Sequence, residues 1–168
     1  QSSSRGLGDV YKRQEDRLKG ISLQTAIWKR PSPDTIPTDA KAAGLYMICT
    51  LSKHEAEKNG YADALMLDYK GRVSESTGSN IFFVINGEIH TPVPDCFLNG
   101  ITRKTVIDLA KSQGINVIER EIYPDEIKNA DEIFLTGSAV EVTPVGKIDD
   151  INYKVGEIYD GEVTKIMD

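Results

Sequence analysis

Two histidines and two cysteines are all that these 168 residues contain. His54 and His90 form neither H-E-x-x-H nor another ligand spacing, which argues against a zinc hydrolase; both read as surface or strand-end side chains. Cys49 and Cys96 make no C-x-x-C pair, so the redox and zinc motifs built on that spacing are missing, and they read as buried, reduced thiols. No G-x-S-x-G occurs, which removes the usual nucleophile elbow. The one G-x-G, Gly6 and Gly8, has Tyr11 where a dinucleotide fingerprint needs its third glycine. The longest purely apolar run, Ile81 to Ile85, falls far short of the roughly 20 residues that span a bilayer, so no membrane partner is expected. A net charge of −6 without a basic cluster counts against nucleic acid. Nothing resembles a cleavable signal, and a cytoplasmic setting is the expectation.

What is present suits one globular domain. Hydrophobic residues make up 39%, with 14 glycines and 7 prolines, enough to bury a core without suggesting a low-complexity chain. The leading residues 1–14, QSSSRGLGDVYKRQ, are polar and resemble translated adapter sequence. They are set aside as a non-native leader, which leaves residues 15–168 as the domain and makes the chain an internal fragment.

The pattern beyond that point mixes helix and strand. After an extended approach punctuated by Pro31, Pro33 and Pro37, Gly44 to Asn59 is predicted as a helix, with Met47, Ile48 and Leu51 at helical spacing and Gly60 as its stop. Strands are predicted at Ala64 to Tyr69 and Arg72 to Ser76 around a Lys70-Gly71 turn. Ile81 to Ile85 and Glu88 to Thr91 flank Asn86-Gly87, a strong hairpin signal because both turn positions need positive φ. Thr102 is placed to cap a helix from Arg103 to Ser112, stopped by Gly114. Val117 to Ile122 is β-rich, Pro124 to Asn129 a short helix, and Glu132 to Leu135 another strand. Hairpins with interspersed helices differ from regular βαβ alternation. The expectation is α+β.

Four short stretches occur in a fixed order: Lys41 to Tyr46 (KAAGLY), Glu75 to Asn80 (ESTGSN), Gly100 to Arg103 (GITR) and Thr136 to Ala139 (TGSA). Together they resemble the fold-type IV pyridoxal-phosphate aminotransferases, closest to the bacterial branched-chain amino acid enzymes. The likeness runs from about Gly20 to the C-terminal end, and the segment Trp28 to Asp68 reads most like those enzymes. The fold that it implies is the large C-terminal domain of the D-amino acid aminotransferase-like architecture, with mostly antiparallel strands and helices.

The resemblance assigns roles residue by residue. Lys41 would carry the cofactor covalently through a neutral amine and then shuttle a proton. Tyr46 follows it by five positions, about 140° off alignment on a helix, so Lys41 is expected just before the first turn, and Tyr46 would hydrogen-bond the ring's phenolic oxygen. Leu45 stands where the family usually has asparagine. Glu75 would keep the pyridine nitrogen protonated, and Gly78 suits a tight turn beneath the ring. Gly100, Ile101 and Thr102 would place helix N–H groups at the phosphate; an ordinary threonine cap explains the same residues without a ligand. Ser138 would add a hydroxyl where many relatives carry threonine, and the Ser138 and Ala139 amides would receive the substrate carboxylate. Arg103 is left out of catalysis, paired with Asp108 or another carboxylate near its helix.

The implied activity is transamination of leucine, isoleucine and valine with 2-oxoglutarate, by a homodimer or higher homo-oligomer using pyridoxal 5′-phosphate. A D-amino acid aminotransferase or an aminodeoxychorismate lyase would use the same lysine and glutamate. A further alternative is an inactive truncated fragment keeping part of the cofactor site, because the family places a smaller domain before this region.

Overall fold

The computed structural model describes residues 19–38, 40–41, 43–137 and 141–156. The leader, Ser138 and Ala139 lie outside the described residues. Nine strands form one mixed sheet: β1 (Ile21–Arg30), β2 (Asp63–Asp68), β3 (Val73–Ser76), β4 (Asn80–Ile85), β5 (Glu88–Pro92), β6 (Val117–Arg120), β7 (Glu132–Gly137), β8 (Glu141–Ile148) and β9 (Ile151–Asn152). Among the described residues the helices with both ends defined are α1 (Ala43–Lys58), α2 (Ile101–Ser112) and the short α3 (Pro124–Ile127). Strand order is β3-β2-β1-β8-β7-β4-β5-β6, with β9 beside β8. A β3–β4 pairing closes six of these strands on themselves. Only β1–β2, β1–β8 and β5–β6 are parallel among the described pairs, so the α+β expectation with mostly antiparallel strands holds.

Alternation along the strands divides the core. Ile81 and Phe83 of β4, with Ile133 and Leu135 of β7, join Leu23, Leu65 and Val145 in one cluster. Phe82 and Val84, with Phe134, face the other way onto Val106, Ile107 and Ala110 of α2, as the two-residue strand period requires. Phe82 and Phe134 stack with centroids 5.0 Å apart. One step further along the same face, Asn80 stands opposite Thr136, where the sheet turns from apolar to polar.

The turns follow the sequence closely. Asn86 (φ 52°) and Gly87 (φ 78°) make the β4–β5 hairpin, and Gly71 (φ 82°) closes the β2–β3 turn. Gly60 and Gly114 both take positive φ after their helices.

Three expectations need correction, and a fourth narrows to one of its options. In α1 the buried face is Leu45, Cys49, Ser52 and Ala56, whereas Met47 and Leu51 are exposed; the small residues let the helix lie close on β1 and β2. Thr102 is not a cap: α2 begins at Ile101, its N-cap is Gly100, and no side chain caps it. His90 is buried within β5 rather than at the surface, where its Nδ1 accepts a bond from Arg120 Nε at 2.9 Å. Burial and that neighbouring guanidinium lower its pKa. Arg103 pairs with another carboxylate rather than Asp108, the second of the two options the sequence left open: Glu119. The arginine is buried and donates to Glu119, Pro92 O and Asn99 Oδ1 at 2.9–3.0 Å.

Strands β1 and β8 were not foreseen. Each is long and central, and β8 carries Pro144, which cannot donate to a ladder. β8 pairs with β1 only from Val145 onward, so Pro144 stands outside that ladder.

Candidate active site

A cavity of about 490 Å³ opens where the carboxyl ends of β1 and β7, the β3–β4 turn, the start of α1 and the start of α2 converge. That volume lies within the roughly 300–1,000 Å³ of small-molecule and cofactor sites. Lys41, Tyr46, Glu75, Gly100, Ile101 and Thr102 all line it. The chain order of the four motifs is thus brought to one place, except for Ser138 and Ala139, whose motif is described only through Thr136 and Gly137 at the cavity wall.

Lys41 is exposed and sits two residues before α1, outside the helix, as the spacing to Tyr46 requires. Tyr46, 41% exposed, stands on the first turns of α1 and is no core aromatic. Glu75, by contrast, is buried in β3. Burial pushes its carboxyl up to about 7, with Arg30 pulling down and Asp63 pushing up. A carboxylate so placed favours a cationic partner from the cavity.

Arg30 is the functional residue that sequence reasoning missed. The last residue of β1, it is buried and lies 3.2 Å from Glu75. Its Nε donates to Cys96 O at 3.2 Å and its Nη1 to Leu45 O at 3.3 Å. A single arginine therefore ties β3, α1 and the loop before α2. No local motif marks it, since only the tertiary crossing of these elements creates its site. Cys49 accepts from the same guanidinium at 3.4 Å, yet burial raises both thiols, Cys96 to about 12. Both are buried, free thiols, as expected.

The approach to α2 is held twice. Arg72 donates to Asp95 at 2.9 Å, and to Asp68 and Glu121 at 2.6 Å, while Asn80 reaches Leu98 O at 3.1 Å and Gly100 N at 3.3 Å. The Gly100 N–H is thereby engaged, so its offer to a ligand is bare backbone; the N–H groups of Ile101 and Thr102, at the first turn, have no intrahelical acceptor. Gly78 has open space at its Cβ position and no positive φ, so the Thr77-Gly78 turn does not itself demand glycine. That turn is closed instead by Ser76 N donating to Ser79 O at 2.8 Å.

A family model described as Amino-transferase class IV matches residues 9–148. The chain belongs to this family. Over 137 residues it is 44% identical to a probable branched-chain-amino-acid aminotransferase of Rickettsia felis, covering 82% of this chain and 47% of that protein. Over 148 residues it is 43% identical to the branched-chain-amino-acid aminotransferase of Escherichia coli strain K12, covering 88% and 47%. In structure it resembles a branched-chain aminotransferase of the archaeon Thermoproteus uzoniensis with norvaline, at a TM-score of 0.85 and 36% identity over 90% of this chain and 51% of that one. An aminotransferase from Brucella abortus bound to PLP gives 0.83 and 37%, over 89% and 53%. This class IV aminotransferase chain spans about half the length of the relatives it matches. Among its described residues, no helix is long and apolar enough to cross a membrane.

Proposed function

We propose that this chain is the large, cofactor-holding domain of a pyridoxal-phosphate-dependent branched-chain amino acid aminotransferase. It would exchange amino groups between leucine, isoleucine or valine and 2-oxoglutarate, in the cytoplasm. The observation that carries the reading is the meeting of Lys41, the buried Glu75 and the start of α2 around one cavity.

The residues present fit such a cofactor. A basic ring nitrogen finds a desolvated carboxylate, a flat ring finds bare backbone at Gly100 and Gly137, and an anionic phosphate finds a helix N-terminus. When bound, pyridoxal phosphate supplies an electron sink that weakens bonds to the substrate α-carbon. Lys41 would hold the cofactor covalently through its side-chain amine, and once the substrate amine displaces it the freed Lys41 amine would move a proton at the substrate α-carbon. Glu75 would hold a proton on the ring nitrogen, and Arg30, which opposes the burial that raises the Glu75 carboxyl, would orient it. The Tyr46 hydroxyl, at the cavity wall, would donate to the ring's phenolic oxygen. Ile101 and Thr102 would bind the phosphate through main-chain N–H groups, and the family resemblance assigns the Thr102 and Ser138 hydroxyls to the same group. Ser138 and Ala139 orient the substrate through its carboxylate.

The relatives' names favour branched-chain substrates over the D-amino acid and lyase alternatives. Ile27, Trp28, Met47 and Leu51 are large, exposed apolar side chains on β1 and α1, consistent with a face covered by a second domain or subunit in a homo-oligomer. The test is product analysis with the chain joined to the amino-terminal half of a branched-chain relative: 2-oxo acid formed from L-leucine with glutamate from 2-oxoglutarate supports the reading. Pyruvate from aminodeoxychorismate, without amino transfer, overturns it. Residues 15–168 alone are expected to give negligible turnover.

A further inference from the structure

We propose that Asn80 is a positioning residue: it fixes the start of α2 at a set distance from Glu75, and Gly100 is glycine in order to admit the Asn80 amide. The proposal rests on the cofactor reading above for its functional meaning.

Asn80 is the first residue of β4 and is buried. Its Cα partners are Glu75 on β3 and Thr136 on β7, so its backbone is locked between two strands that wall the cavity. A buried primary amide must find partners or carry a desolvation cost. Here it finds both in one loop: Nδ2 donates to Leu98 O at 3.1 Å, and Oδ1 accepts from Gly100 N at 3.3 Å. The flipped amide would set its NH₂ against an N–H and its oxygen against a carbonyl, so the two bonds fix its orientation.

Gly100 supplies the second, independent observation. Its backbone, φ −61° and ψ 150°, is ordinary extended geometry, open to any residue. Yet a Cβ there would lie 2.6 Å from Asn80 Oδ1 and within 4 Å of no other side chain. The contact falls on a short side chain already bonded at its amide, which has little room to give. The glycine therefore answers to Asn80 and not to a turn.

The consequence is a rigid span across the site. The cavity wall includes both Glu75 and the residues of the first turn of α2. A ligand that carries a cationic ring and an anionic group must meet both at once, and donors act on an anion only within hydrogen-bond reach. Asn80 joins Glu75 to the start of α2 through one β-bridge and two hydrogen bonds.

The experiment uses the full chain as wild type, Asn80→Ala, Gly100→Ala and the double variant, titrated with pyridoxal 5′-phosphate and with pyridoxal, which lacks the phosphate. A folding defect weakens both ligands alike; loss of positioning lowers the ratio between them. We expect each single variant to reduce the preference for the phosphorylated form about tenfold, the scale of one misplaced bond to a charged group. The double variant is expected to be no worse than Asn80→Ala, because the clash has been removed. Independent, multiplying losses would overturn the proposal, as would an unchanged ratio in either single variant. Amide exchange at Gly100 is measured in parallel by NMR. At least about tenfold faster exchange in Asn80→Ala supports the clamp, and an unchanged rate overturns it. A wild-type chain that fails to prefer the phosphorylated ligand refutes the cofactor reading instead, and the exchange rates then decide the clamp alone. Should Asn80→Ala not fold, Gly100→Ala, which keeps the whole amide, decides the ratio test.

Discussion

The guanidinium of Arg30 lies 3.2 Å from the carboxylate of Glu75, with both side chains at most 10% exposed. An ion pair at such depth gains little net stability, because removing both charges from water offsets much of their attraction. Under the proposed function its use lies elsewhere: it holds the Glu75 side chain in place at the cavity wall. Burial and Asp63 raise this carboxyl, and Arg30 is the group that opposes them.

Removing Arg30 should therefore cost more at high pH than at low. Arg30→Met strands the Glu75 carboxylate and leaves Cys96 O and Leu45 O without this donor, and breaking such a pair costs about 3–5 kcal/mol. Below the raised pKa Glu75 protonates and escapes part of that cost. Urea denaturation at pH 5 and pH 8 checks it: a loss equal at the two values contradicts the pairing.

Glu75 itself should make the apo chain less stable as pH rises. Its carboxyl is raised from 4.5 to about 7 in the folded state, so between those values the folded chain binds more protons than the unfolded one. Unfolding free energy then falls as pH climbs through that window and levels off above it. Glu75→Gln should flatten this slope. Stability curves of the two proteins that run parallel from pH 4.5 to pH 7 would refute the raised pKa.

Arg103 should prove structural although it belongs to a binding motif. It is 1% exposed and bonded to Glu119, Pro92 O and Asn99. Arg103→Ala should destabilise by about 3 kcal/mol, and Arg103→Lys should recover only part of that loss, since an ammonium cannot reproduce the planar fork. Differential scanning calorimetry with a ligand titration separates the roles. Normal melting with selectively lost ligand binding would place Arg103 in the site instead.

What was legible in the sequence was mostly local. Asn86-Gly87, Lys70-Gly71, Gly60 and Gly114 state their turns outright because positive φ has few tenants. The motif residues around Lys41, Glu75 and Gly100 reached one cavity as the resemblance implied. Arg30 and Asn80 stayed hidden, since their partners are Glu75, Leu45, Cys96, Leu98 and Gly100, all distant in sequence. β8 was masked by Pro144, and the inner face of α1 by small residues, Cys49, Ser52 and Ala56, where apolar bulk pointed to Met47 and Leu51.

The central claim is that Lys41 is the residue that takes pyridoxal phosphate. The chain is saturated with pyridoxal 5′-phosphate, reduced with borohydride and mapped by peptide mass spectrometry. The account predicts a pyridoxyl label concentrated on Lys41, lost in Lys41→Ala and not transferred to another lysine. A label spread over the exposed lysines, or concentrated on any other one, would contradict it.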